Sequence, residues 1–225
     1  MIVLGIIPAR GGSKSIPLKN IKELCGKPLL AYAIESAKKS MSLDRLVVST
    51  DHDRIASVAK EYGAEVILRP DELATDEAST EGALIHVLDD LKKREDYEPD
   101  IVLTLEPTSP FRSPQLIDRC IEIFKTTDAD SIIGVVEVRS CIGRIVQGKF
   151  EFLFPGQPRR RQEREALYQE SSTIYGTRIE IIRRKNSVLG DRLYPLIVSE
   201  NEALDINTPY DFEIAELTMK RADAG

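Results

Sequence analysis

Residues 8–20 read Pro-Ala-Arg-Gly-Gly-Ser-Lys-Ser-Ile-Pro-Leu-Lys-Asn, which places Arg10, Lys14 and Lys19 within ten positions around the adjacent glycines Gly11 and Gly12. Paired glycines expose backbone N–H groups that can face phosphate oxygens, and the cations add charge, a combination that suits a triphosphate. The string contains neither GxxxxGK[ST] nor GxGxxG, which disfavours a P-loop ATPase and a nicotinamide dehydrogenase. A second candidate is Pro158-Arg-Arg-Arg-Gln-Glu-Arg164. A guanidinium fork matches a carboxylate bidentately, so this run suits recognition of a carboxylate-bearing substrate. No aromatic residue interleaves the run, as stacking on nucleic-acid bases would require.

Other clusters have plainer readings. Asp51-His52-Asp53 reads as the cap of a following helix rather than a metal cluster. Asp71, Glu72, Asp76 and Glu77 read as a solvated acidic loop. His86 shares a helical stretch with Leu88 and Leu91 and reads as structural, and Cys25 reads as inert. Tyr168, Tyr175 and Tyr194 stay open between a substrate pocket and core packing.

The elements that must position these residues follow from periodicity. Ile2–Ile7 is continuously apolar, as expected of a strand buried on both faces of a parallel sheet. Further strands are predicted at 45–50, 65–68, 100–105, 131–138, 172–175 and 194–198. Helices are predicted at 28–40, 53–62, 80–94, 114–125, 179–185 and 209–221. Gly63 reads as a helix stop, Ser113-Pro114 as N-cap and first turn, and Thr208-Pro209-x-Asp211 as a capping box. Alternating strand and helix over the first 138 residues predicts an α/β fold with a doubly wound, mostly parallel sheet, Rossmann-like in outline. Residues 139–167 break the alternation with Gly148, Pro155-Gly156 and the arginine run, and read as an excursion from the sheet.

The 225 residues suit a single domain, and a chain of that length holds a core without staples. A net charge of −6 argues against general affinity for nucleic acid. Three widely spaced cysteines, Cys25, Cys120 and Cys141, and two histidines give little support to disulfides or a zinc site. Residues 1–10 lack the basic start of a signal peptide. No run approaches the roughly 18 apolar residues of a membrane span. The expectation is a cytoplasmic protein with no membrane and no nucleic-acid partner.

The string IPARGGSKSIPLKN closely resembles the signature of acylneuraminate cytidylyltransferases, also called CMP-sialic acid synthetases. VVSTDHDRIASVAKEYGAEVILRPDELATDEAS, PTSPFR, RRQ at 160–162 and LDINTPYDFEIAE at 204–216 match in the same order. The resemblance spans nearly the whole chain and is poor only over 139–158. It implies a nucleotidyltransferase that joins CTP to the anomeric hydroxyl of a nonulosonic (sialic-type) acid, releases pyrophosphate and uses Mg²⁺. It implies a homodimer in which an arm, residues 139–170, crosses to complete the partner's site.

Carried over position by position, the resemblance puts Arg10, Gly11, Gly12, Ser13, Lys14, Lys19 and Asn20 in the nucleotide loop. Arg69, Ala78, Ser79 and Thr80 fall at the cytidine. Glu106 falls on the sugar side, Arg161 and Gln162 fall on an arm that faces the sugar carboxylate, and Asp205 and Asn207 fall on a metal pair. Arg10, Lys14, Lys19 and Asp205 carry the catalytic expectation: attack on an α-phosphate spreads negative charge, so catalysis is mostly positioning plus cations. Three positions depart from the family pattern: Asn207 for Asp, Glu106 for Gln, and Ser171-Ser172 for Asn-Gly. The first two move one carboxylate from 207 to 106, and Glu106 is expected to restore charge around a metal or to meet a cationic group on an unusual sugar.

Overall fold

The elements, in a computed structural model that describes residues 1–223, are β1 (Val3–Pro8), short β2 (Glu23–Leu24) and β3 (Lys27–Pro28), α1 (Leu29–Lys38), β4 (Arg45–Thr50), α2 (Asp53–Glu61) and β5 (Glu65–Leu68). Next come α3 (Thr80–Glu95), β6 (Ile101–Thr104), α4 (Pro114–Thr126), β7 (Ser131–Val138), β8 (Gly143–Val146) and β9 (Lys149–Phe152). The chain ends with β10 (Leu167–Arg178), α5 (Ile179–Lys185), β11 (Leu193–Val198) and α6 (Pro209–Asp223).

Seven strands form one sheet in the order β11-β7-β10-β6-β1-β4-β5. The central strands pair in parallel, with Ile6 opposite Val47 on one side and Thr104 on the other. The apolar runs are buried because helices cover both faces. Leu30 and Ile34 of α1, Ile55 and Ala59 of α2, and Leu116, Ile117 and Phe124 of α4 pack on one face. Leu84, Val87, Leu88 and Leu91 of α3 and Ile182 of α5 pack on the other. The doubly wound expectation therefore stands.

One strand departs from it. The stretch read as a strand at 172–175 is the middle of the twelve-residue β10, which lies antiparallel to both β6 and β7. Its register shifts between Glu170 and Tyr175, a bulge that interrupts pairing with β7. The chain leaves the sheet after Val138 and returns at Leu167. Between them β8 and β9 form a separate hairpin. Arg164 donates to the carbonyls of Pro158, Arg159 and Arg139, and Arg139 donates back to that of Arg164, so these two side chains close the base of the excursion.

The caps follow the sequence reading. Ser113 accepts from the Leu116 N–H, and Pro114 opens α4. Thr208 Oγ1 accepts from the Asp211 N–H while Asp211 accepts from those of Thr208 and Asn207, so both ends of the box are satisfied. Gly63 takes positive φ after α2. A third, smaller core joins Ile16, Leu24 and Leu29 to Ile206, Phe212 and Ala215.

Candidate active site

In a parallel sheet the loops after the strands converge at the carboxyl edge. Here the loops after β1, β5 and β6, the β10 bulge and residues 205–207 enclose one cleft of about 750 Å³. Arg10, Ser13, Lys14, Lys19, Asn20, Arg69, Ala78, Ser79, Thr80, Glu106, Asp205 and Asn207 line it together.

The cationic loop is held in shape from three directions. Asn20 is buried and donates to the Arg10 carbonyl at 2.9 Å. The Gly11 N–H donates to Asp51 Oδ1 at 3.0 Å. A Cβ on Gly11 would lie 2.7 Å from His52 Cδ2, so glycine is required there by close approach. Gly11 and Gly12 thus flank the cleft rather than line it, and Gly12 faces open space. The acidic triplet at 51–53 divides its work: His52, not an aspartate, caps α2 by accepting from the Arg54 N–H, and Asp51 holds the loop. The third anchor is the small core, where Ile16 packs with Ile206 and Lys19 Nζ donates to the Ile206 carbonyl at 2.6 Å. That contact ties the loop to the segment carrying Asp205.

The floor is electrostatically costly. Burial lowers the Lys19 pKa, opposed by Asp205 and Glu106. Burial likewise lowers that of Arg69, whose Nε has no partner. Glu106 is pushed up to about 7, chiefly by burial; Arg112 opposes the shift and Asp205 adds to it. Arg112 is buried beneath Glu106, donates to the Thr173 carbonyl at 2.7 Å and to the Glu106 carbonyl, and is itself lowered to about 10 by burial. Asp205 Oδ2 accepts from the Asn207 amide at 2.6 Å, while Oδ1 is buried without a partner. An orphaned carboxylate oxygen is a natural ligand for a hard cation, and Mg²⁺ takes one or two carboxylates plus phosphate oxygens. The residues present fit that ion. Among the described residues no group of three or more His, Cys, Asp or Glu side chains converges, here or elsewhere, so substrate oxygens would complete the ion's shell.

Ser79 spends its hydroxyl on the N-cap of α3, accepting from the Gly82 N–H at 3.1 Å. Arg161 and Gln162 lie on a single turn in the excursion, outside the cleft. Arg161 is 71% exposed, with Glu200 at 3.8 Å. Glu170 and Ser172 on the bulge line the cleft with no signal in the sequence, because no local pattern announces a bulge, and residues 187–189 after α5 line it too. Tyr175 lines it too and donates to Glu170 at 2.7 Å, whereas Tyr194 donates to Asp128. His86 is half-buried on α3, consistent with a structural role.

The cytidylyltransferase family profile matches residues 4–216. The chain belongs to the cytidylyltransferase family. It is a nucleotidyltransferase, and the sequence resemblance is borne out at the level of the family. This cytidylyltransferase is 35% identical to the CMP-N,N'-diacetyllegionaminic acid synthase of Legionella pneumophila, with 98% of this chain and 97% of that one aligned. It is 30% identical to the N-acylneuraminate cytidylyltransferase of Escherichia coli over 95% of its own length but 51% of that protein's, so it spans about half of that longer relative. Its fold matches a CMP:2-keto-3-deoxy-manno-octonic acid synthetase complexed with CTP at a TM-score of 0.75 and 16% identity, covering 99% of this chain and 100% of that one.

Proposed function

We propose that the chain transfers the cytidylyl group of CTP to the anomeric hydroxyl of a nonulosonic acid, forming the CMP-sugar and pyrophosphate. The observation that carries this is the meeting, in one cleft, of Arg10, Lys14 and Lys19 with the orphaned Asp205 oxygen, in a chain 98% of which aligns with a CMP-N,N'-diacetyllegionaminic acid synthase. Arg10, Lys14 and Lys19 hold the phosphates, with Ser13 and Asn20 shaping their loop. Arg69 and residues 78–80 hold the cytidine. Asp205 and Asn207 would hold Mg²⁺, whose charge would offset that of the phosphates and make a nearby hydroxyl more acidic. Glu106 faces the sugar. The sugar oxygen attacks the α-phosphorus as the bond to the β-phosphate breaks, and no side chain serves as a covalent nucleophile.

The whole chain acts as one nucleotidyltransferase domain, and the excursion as an exchanged arm of a homodimer. Ile145 and Phe150 on the hairpin are 77% and 59% exposed, and Arg161 stands away from its own cleft, both of which suit a partner. The three free cysteines suit the reducing cytoplasm.

The test is pyrophosphate release with Mg²⁺, each of the four NTPs and a panel of eight- and nine-carbon keto acids. Turnover with CTP and a nine-carbon acid is expected. Turnover confined to another nucleotide or to an unrelated sugar would overturn the assignment.

A further inference from the structure

The acidic loop at 71–77, read from sequence as a solvated face, does something more specific at one position. Arg10 Nη1 donates to Asp76 Oδ1 at 3.0 Å and to the Thr75 carbonyl at 2.9 Å. Lys14 Nζ lies 3.0 Å from Asp76 Oδ2. One carboxylate therefore bridges two of the three loop cations through its two oxygens, and among the described residues neither cation has another carboxylate partner. These contacts also hold the Asp76 carboxyl below the usual carboxylate range, so it stays charged at neutral pH.

Two oxygens of one anion, set between a guanidinium and an ammonium, are what a phosphate presents to the same pair. The bridge is open to exchange: the Asp76 and Lys14 side chains are 48% and 75% exposed, and ion pairs that exposed are weak. It also sits at the cleft, since Arg10, Lys14, Thr75 and Asp76 all line it, on the loop that leads into residues 78–80.

We propose that Asp76 is a built-in competitor for the terminal phosphates, which sets how much anionic charge a ligand must carry to take Arg10 and Lys14. The proposal rests on the assignment of those two cations to the triphosphate. A triphosphate, with several charges, outcompetes a single carboxylate. A ligand that keeps only the α-phosphate lacks the groups to do so. When pyrophosphate leaves, Asp76 recaptures both cations, which speeds that departure and disfavours rebinding. The residue thus places the same cost on any polyphosphate that takes both cations, and that cost favours release of the inorganic product.

Calorimetric titration of the full chain and of Asp76→Asn with CTP and Mg²⁺, pyrophosphate and Mg²⁺, and cytidine tests it. The variant is expected to bind CTP and pyrophosphate about three- to tenfold more tightly, with cytidine unchanged. Pyrophosphate is also expected to become the stronger inhibitor of turnover by a similar factor. Asp76→Glu, which keeps the charge, is expected to behave as the unsubstituted chain. Equal or weaker CTP binding by Asp76→Asn overturns the competitor role, as does tightening of cytidine to the same degree. Failure of the unsubstituted chain to take up CTP at all overturns the nucleotide assignment, and the competitor role falls with it.

Discussion

At the scale of single residues, Glu106 is a carboxylate held where its charged form is disfavoured. Burial is the chief cause of its rise from the ordinary 4.5 to about 7, with Asp205 adding to it and Arg112 opposing it. Between those two values the unfolded chain has lost the Glu106 proton and the folded chain still holds it. Stability therefore falls as pH climbs from about 4.5 to 7 and levels off above. Glu106→Gln removes that dependence. Thermal denaturation at pH 5 and pH 7.5 is expected to show the unsubstituted chain losing up to about 3 kcal/mol more than the variant over the interval. Glu106 was legible as a charge departure from a family pattern, but its surroundings were not, because the guanidinium beneath it comes from Arg112, six residues on and folded back under the loop.

At the scale of elements, two glycines show how strands and helices hold the cleft in register. Gly11 lies against His52 at the start of α2, and Gly11→Ala is expected to push the 10–20 loop outward. It should weaken CTP binding about tenfold, read by calorimetry, with little change in melting temperature. Gly176 belongs to the antiparallel β10, where an added Cβ would meet Phe124 Cε2 at 2.7 Å and Cys120 Sγ at 3.0 Å. Gly176→Ala is expected to cost about 1–3 kcal/mol in chemical denaturation while sparing turnover at low temperature, since overpacking strains the α4 contact rather than the loops. The parallel strands and their helices were readable as buried runs and amphipathic stretches. The length and direction of β10 were not: strand direction depends on the partner, and the polar residues of its bulge carry no period.

For the whole molecule, the expected assembly makes a quantitative claim. If the arm carries Arg161 into a partner's cleft while Asp205 acts in its own, Arg161→Ala and Asp205→Ala are each nearly inactive alone. Mixed in equal amounts and allowed to exchange, half the dimers are hybrids with one intact site, so activity is expected to return to about one quarter of the unsubstituted level. Pyrophosphate release before and after mixing measures it, and light scattering of a Phe150→Ser, Phe152→Ser variant is expected to show half the mass of the parent assembly. Activity that stays absent on mixing would place both residues in one chain's site.

Sequence alone determined the alternation of buried strand and amphipathic helix, the helix caps and the cationic loop, because each is written in types and spacings within about fifteen residues. The tertiary structure alone decided that Asp51 anchors that loop, that Ile16 seats it against Ile206 beside Asp205, and that Asp76 bridges Arg10 and Lys14. Those contacts join segments from 40 to about 190 residues apart, and only packing of the helices and loops on a particular sheet order brings them within hydrogen-bond reach.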